Sequence, residues 1–313
     1  MKIAFFGTPE FAVLALEALI NSPHEVILAV SQPDRPKGRD MHTDPTPVKS
    51  IALKSGITVL QPEKCAEQSF ITEYKKFSPD INIIIAFGQI IPDEIIYHPK
   101  FASVNIHASL LPRYRGASPI NWAIINGDKE TGITYQFIEK RLDAGDIINV
   151  EKINIEESDD ASTMFAKLSK LSGDTVVKVV DMVAGGKAQR IRQDESKATI
   201  VKTLKKEEGR LDFNAPAISI VNKIRGLVPW PCAYCSFKGK TLKILSASAM
   251  DCPPEHTSSA PGTITGFIKG TGFMIKTADT CIIAKTVQPE SGKKMNGFDF
   301  ANGHKDLLGM RLE

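Results

Sequence analysis

The run Ile81-Asn82-Ile83-Ile84-Ile85-Ala86-Phe87 is apolar almost throughout and does not alternate. A strand with one wet face alternates, whereas a continuous short apolar run suits a parallel strand covered on both faces. Comparable runs recur through the first half, separated by helical patterns. Residues 3–6 read as a strand, 11–20 as a helix and 26–30 as a strand. A polar loop over 32–47 follows, then a short helix through Leu53, a strand at 58–60 and a helix at 70–77. After the apolar run come a strand at 102–107, a helix at 119–125 and a segment at 133–138 whose alternation predicts a partly exposed strand. This succession predicts an α/β fold with a doubly wound, mostly parallel sheet.

The second half reads differently. A helix is predicted over 161–183, stopped by Gly185-Gly186. Residues from about 187 to 208 are polar and basic with little periodicity. Beyond Pro229-Trp230-Pro231, strand-like runs at 233–237, 242–246, 273–276 and 281–285 are separated by turn signals such as Lys238-Gly239-Lys240 and Pro261-Gly262. Short strands at such spacing predict a small, OB-like β-barrel. A chain of 313 residues suits two domains. The expected division is a catalytic domain over 1–189, a linker over 190–206 and a C-terminal β-barrel over 207–313.

Charge is uneven along the chain. From residue 205 onward there are 15 basic and 10 acidic residues, against 24 and 26 in the remainder. The last third is therefore the part suited to an anionic partner. The five cysteines are odd in number and scattered, as reduced thiols of a cytoplasmic protein would be. Cys232-Ala-Tyr-Cys235 falls in a strand-like segment with no second ligand pair, so it reads as structural rather than zinc-binding or redox-active. Residues 1–7 resemble a buried strand and not a signal peptide, and no apolar run is long enough to span a membrane. Gly7-Thr8-Pro9-Glu10 lacks the glycine pattern of a dinucleotide site, and no phosphate-binding P-loop occurs. No His or Cys cluster has metal-ligand spacing. Side-chain chemistry without a metal is expected, in a monomer free of any membrane.

Asn105 and His107 close the strand over 102–107 two residues apart, a spacing that puts both side chains on one face. A Leu110-Leu111-Pro112 loop follows, placing the pair at a C-terminal strand edge, where open α/β sheets bind ligands. With Asp143 downstream, the chain holds an amide donor, an imidazole and a carboxylate. Those are the parts that stabilise an oxyanion and move a proton.

Asn105-x-His107, Ser109-Leu110-Leu111-Pro112-x-Tyr114-Arg115-Gly116-Ala117-x-Pro119 and Asp143-x-Gly145-Asp146 together resemble the folate-dependent formyltransferase family. Gln32-Pro33-Asp34-Arg35-Pro36-Lys37-Gly38-Arg39, Pro47-Val48-Lys49, Ala86-Phe87-Gly88-Gln89-Ile90-Ile91-Pro92 and Pro229-Trp230-Pro231 extend the likeness to the members that act on charged initiator tRNA. The resemblance implies a Rossmann-variant catalytic domain that moves the formyl group of 10-formyltetrahydrofolate to the α-amine of methionyl-tRNA for translation initiation. It implies Asn105, His107 and Asp143 as the catalytic triplet. It places the folate against Phe87, Gly88, Gln89, Ile90, Ile91 and Pro92, against Ser109, Leu110, Leu111 and Pro112, and against Leu142 and Asp146. For the tRNA it points to Lys37 and Arg39 in the loop after Asp34 and to Lys205, Lys206 and Arg210. Two departures stand out: Asp40-Met41-His42-Thr43-Asp44 replaces a stretch often rich in lysine, and Lys140-Arg141 precedes Leu142 where a small residue is usual. Rival readings are a formyltransferase acting on an amino-sugar nucleotide and, from another class, a non-catalytic folate- or RNA-binding module.

Overall fold

A computed structural model describes residues 1–36, 43–304 and 306–313. Two compact units result. The first comprises residues 1–116, 131–153 and 165–201; the second comprises 117–130, 154–164 and 202–313. In chain order the first unit contains β1 (Lys2–Gly7), α1 (Val13–Ile20), β2 (Glu25–Val30), α2 (Pro47–Lys54), β3 (Thr58–Leu60), α3 (Gln68–Phe77), β4 (Ile81–Ile85), α4 (Asp93–Ile96), β5 (Ala102–His107) and β6 (Arg115–Gly116). After α5 (Pro119–Ile125), which belongs to the second unit, come β7 (Glu130–Phe137), β8 (Ile147–Asn154), α6 (Ala161–Ala184) and β9 (Ile200–Val201).

Seven strands form one sheet in the order β3-β2-β1-β4-β5-β7-β8. The pairs through β5 are parallel, and β7 runs antiparallel to β5. The order reverses between β1 and β4, the switch point of a doubly wound sheet. All five residues of β4 are buried, as its unbroken apolar run requires. Phe6, Leu28, Val30 and Ile84 pack with Phe70 and Tyr74 of α3 on one face. Each such fully buried side chain contributes about 1.5–3 kcal/mol. Asn82, the polar residue inside the run, is satisfied by the Tyr74 hydroxyl, the Ile95 carbonyl and the Ser103 hydroxyl. It thereby ties α3 and β5 to the strand between them.

The alternation over 133–138 suggested a half-exposed strand, but β7 is buried from Thr131 to Phe137. Three of its inward polar side chains have partners, while the buried Thr131 hydroxyl has none among the described residues. Thr134 bonds the Ser109 carbonyl and the Leu111 N–H, Tyr135 bonds Ser172 and Thr175 of α6, and Gln136 enters the site described below. The stretch expected as a linker from residue 190 is built into the first unit as far as 201. Ile191 bridges to Ile147, and β9 pairs in parallel with β6.

The second unit contains α7 (Ala217–Gly226), β10 (Ala233–Phe237), β11 (Lys240–Met250), β12 (Ile264–Ile268), β13 (Gly272–Lys276), β14 (Cys281–Pro289), β15 (Met295–Asn296) and α8 (Gly297–Asn302). Its antiparallel sheet runs β10-β11-β14-β13-β12, with β15 beside β14. The last residues join the two edges: Glu313 donates to Ser236 on β10, while Leu312 donates to Gly262 and Ile264 donates to Met310 beside β12. This backbone zipper makes the sheet barrel-like. The helix α7 seats Ile220, Val221 and Ile224 against Ile244, Phe273 and Ile282 in the core. Cys235 lies in that core, and burial pushes its thiol up to about 12.

Asp279 caps α7 from outside the helix. Its Oδ1 accepts from the Ala217 N–H at 2.9 Å, and from Thr277 Oγ1 and the Thr280 N–H. These bonds, that from Ala217 foremost, hold the carboxyl below its usual range. A depressed folded-state value gives stability that is present above the unfolded value of about 3.9 and lost as pH falls through the folded one. Asp279→Ala is therefore expected to cost about 1 kcal/mol at neutral pH. Denaturant titrations of wild type and variant should converge in acid; a cost that persists below the carboxylate range contradicts this account.

Candidate active site

The site is assembled entirely within the first unit. Strand β5 delivers Asn105 and His107 on one face, and register sets Asn105 opposite Gln136 and His107 opposite Thr134 on β7. After His107 the chain turns through a loop fixed by the buried Ser109 hydroxyl, which donates to the Arg113 carbonyl at 2.7 Å. The loop ends at Tyr114, in the left-handed region at φ +60°, with its N–H on Thr199 Oγ1. The Tyr114 carbonyl lies 2.8 Å from His107 Nε2. A carbonyl only accepts, so Nε2 carries the hydrogen and the lone pair of the neutral ring lies on Nδ1.

Asp143 is the centre on which the donors converge. Its Oδ1 accepts from Gln136 Nε2 at 3.0 Å and Asn105 Nδ2 at 3.3 Å. Its Oδ2 accepts from the Gly116 N–H at 2.8 Å and lies 3.6 Å from His107 Nδ1. Asp143 sits at φ +48°, a conformation that Asp tolerates better than most residues. The turn then doubles back onto the end of β7. A Cβ on Gly145 would meet the Phe137 carbonyl oxygen at 1.7 Å, so only glycine permits this return. Asp146 closes the turn by accepting from the Phe137 N–H and lies 3.7 Å from Arg190.

Gln136 and Gln193 join the site beyond the residues that the sequence motifs identify. The Nε2 of Gln193 lies 2.8 Å from both the Asp143 and Gly145 carbonyls and 3.1 Å from Gln136 Oε1. Its Oε1 accepts from Arg115 Nε and Nη2 at 3.1 and 2.8 Å. Arg115 is buried and also grips Glu195 through two nitrogens at 3.1 and 3.0 Å. That hydrogen bond holds the Glu195 carboxyl below its usual range. Gln136 could have been sensed from the spacing of two polar residues, Thr134 and Gln136, in an otherwise apolar strand. Nothing in the polar stretch around Gln193 marks it.

The residues expected to wall a folate separate into two kinds. Phe87 packs edge-on against Phe6 in the core, 5.5 Å between centroids, and its carbonyl accepts from Thr8 and Gln32. Gln89 is committed to the Cys65 N–H and the Pro62 carbonyl. Ser109 and Leu111 are likewise buried. These residues shape the loops. Ile90 and Leu142 instead stand 92% and 66% exposed, while Leu110, Ile91 and Pro92 are half-buried. Gly88 is exposed at φ +83°, where a Cβ would strike Gln32. A cavity of about 590 Å³ lies against β5 and the end of β7, lined by Ile96, Tyr97, Phe101, Ile138, Lys140 and Arg190 among others. It touches none of the expected wall residues.

Lys37 and Arg39, and most of the atypical stretch after them, lie outside the described residues. Lys205, Lys206 and Arg210 are exposed on the second unit, where Arg210 and Arg311 line a cavity of about 560 Å³. Among the described residues no cluster of His, Cys, Asp or Glu could hold a metal ion, and no helix is long and apolar enough to cross a membrane.

Comparison with known proteins agrees over both units. Residues 1–180 match the family described as formyl transferase, and residues 203–305 match the formyl transferase C-terminal domain. The chain is 42% identical to a methionyl-tRNA formyltransferase of Sulfurihydrogenibium sp. (strain YO3AOP1) over 100% of both chains. It is 40% identical to a methionyl-tRNA formyltransferase of Bacillus subtilis (strain 168), over 100% of this chain and 99% of the relative. A solved N-formyltransferase from Helicobacter canadensis, in complex with folinic acid and dTDP-3-aminofucose, shares the fold. Its TM-score is 0.66 at 19% identity, covering 93% of this chain and all 100% of that one.

Proposed function

The chain belongs to the formyl transferase family, and we infer that it formylates the α-amine of the methionine carried by initiator tRNA. The observation that carries the chemistry is the Asp143 carboxylate, which gathers Asn105, His107, Gln136 and the Gly116 N–H around one reaction space. The chain's residues fit a flat folate. Ile90 and Leu142 offer exposed aliphatic surface on the loops leaving β4 and β7, and Gly88, two residues before Ile90, leaves backbone uncovered. When bound, 10-formyltetrahydrofolate supplies an activated formyl carbon with N10 as the leaving nitrogen.

Asn105 uses one Nδ2 hydrogen on Asp143 and directs the other to the formyl oxygen, which becomes negative as the amine nitrogen bonds to the carbon. His107 takes at Nδ1 the proton shed by that nitrogen, because Nε2 is already occupied by Tyr114. Asp143 stabilises the resulting imidazolium through Oδ2. His107 then returns the proton to the departing nitrogen as the carbon–nitrogen bond breaks, and the site is restored. Lys205, Lys206 and Arg210, with Lys37 and Arg39, supply charge for tRNA phosphates.

Purified protein with 10-formyltetrahydrofolate should formylate charged initiator tRNA and leave an amino-sugar nucleotide unmodified. Binding of the tRNA should weaken steeply as salt rises, since lysine and arginine contacts release counterions. Transfer to the sugar nucleotide alone would replace this reading with its rival. Binding of folate or RNA without any transfer would reduce the protein to a binding module.

A further inference from the structure

Residues 181–202 lie between the two family-matched regions, yet Gln193 within them is buried against the turn that carries Asp143. We propose that Gln193 is a positioning residue that fixes which way the Gln136 amide faces and thereby aims a donor at the Asp143 carboxylate. The proposal rests on the function assigned above.

Arg115 has five N–H donors and no acceptor. Two of its nitrogens meet one end of the Gln193 amide, so that end is the oxygen. The opposite end is the NH₂, whose two hydrogens are shared among the Asp143 carbonyl, the Gly145 carbonyl and the near end of Gln136. That end of Gln136 must then be its oxygen, which turns its NH₂ toward Asp143 Oδ1. With Gln136 reversed, an oxygen would face the carboxylate and repel it. Direction therefore passes from Glu195 to Arg115, to Gln193, to Gln136 and to Asp143, while the same Gln193 NH₂ pins the backbone on both sides of Ala144. Arg115 also precedes Gly116, whose N–H is the donor to Asp143 Oδ2. A single buried chain thus sets both sides of the carboxylate, and its members lie within the first unit.

A merely structural Gln193 would anchor Arg115, and Gln193→Glu keeps the length and strengthens that anchor. It removes the donor and sets a second carboxylate against two carbonyls. Positioning predicts that Gln193→Glu loses turnover although it holds Arg115. Gln193→Met, with similar length and no polar atom, gives the same reading if the first variant fails to fold. The experiment measures kcat and KM for 10-formyltetrahydrofolate and methionyl-tRNA in wild type and both variants, alongside thermal unfolding. A misplacement of about 1 Å costs on the order of 10²-fold in rate, so kcat should fall about 10- to 100-fold with each KM within about threefold. Gln193→Glu turning over within twofold of wild type, or a loss confined to KM or to a lowered unfolding temperature, would overturn the proposal. A second readout needs no turnover. The Gln136 side-chain amide protons should be protected from exchange in wild type and lose that protection in Gln193→Met; retained protection also overturns it. A wild type that transfers no formyl group to methionyl-tRNA refutes the functional reading instead, and the exchange measurement still decides the role of Gln193.

Discussion

Replacing Asp143 with asparagine is expected to lower kcat by about 10³-fold or more, with little change in affinity for tetrahydrofolate. The substitution conserves shape, so the effect isolates charge and acceptor capacity. In the wild type every polar neighbour faces the carboxylate: Asn105 and Gln136 at Oδ1, the Gly116 N–H and His107 at Oδ2. Asparagine offers one oxygen and one NH₂. Turned one way, its NH₂ meets the two amide donors, and Gln136 is held against reorienting by Gln193. Turned the other way, the NH₂ meets a backbone N–H that cannot rotate, and it donates to His107 Nδ1. That bond occupies the lone pair needed for the amine's proton.

Hydrogen bonds to a charged acceptor are worth about 1.5–3 kcal/mol each. Exchanging a carboxylate for an amide behind a proton-accepting imidazole costs on the order of 10⁴ in a serine protease, where the amide captures the wrong tautomer; here the amide would instead block the accepting Nδ1 directly. The fold of the turn should survive, because its geometry depends on Gly145 and Gln193 rather than on the carboxylate charge. Steady-state kinetics with methionyl-tRNA, beside fluorescence titration of tetrahydrofolate, separates the two effects. A variant retaining a tenth of wild-type turnover would remove Asp143 from the proton path.

Local periodicity was legible and long-range partnership was not. The apolar run over 81–87 identified a buried parallel strand, and β4 occupies its first five residues. Ala86 then departs at φ +47° and Phe87 folds back into the core, because the strand's end must open for the loop that follows. The two-residue spacing of Asn105 and His107 also survived into three dimensions, since both reach Asp143. The same period misled at β7. Thr134 and Gln136 resembled a wet face because a sequence shows polarity and not the partner that satisfies it. Helix α7 carries Ala217, Ile220, Val221 and Ile224 at helical spacing, a signal obscured by the run of strand-like segments around it. Gln193 was beyond reach: its role depends on Arg115 and Gln136, 78 and 57 residues away. Pairing at such separation leaves no trace in a local pattern.

Asn105→Ala is expected to reduce kcat by about 10²- to 10³-fold, the cost of removing one oxyanion donor, about 2.7–4 kcal/mol of barrier. The side chain is half-buried at the end of β5, so truncation opens no closed cavity and the strand keeps its pairing with β4 and β7. Asp143 retains Gln136 and Gly116 as donors, so the carboxylate stays in place while the oxygen of the formyl group loses its partner. Charge on that oxygen develops only as the amine attacks. The missing interaction is therefore one made in the transition state, and kcat and kcat/KM should fall together while KM for the folate donor stays within about threefold. Asn105→Asp provides the contrast, because it restores volume but sets a second carboxylate against Asp143 and against the developing oxyanion. It should be at least as impaired as the alanine variant. A raised KM with turnover intact in Asn105→Ala would make Asn105 a folate-binding residue and move oxyanion stabilisation to another donor.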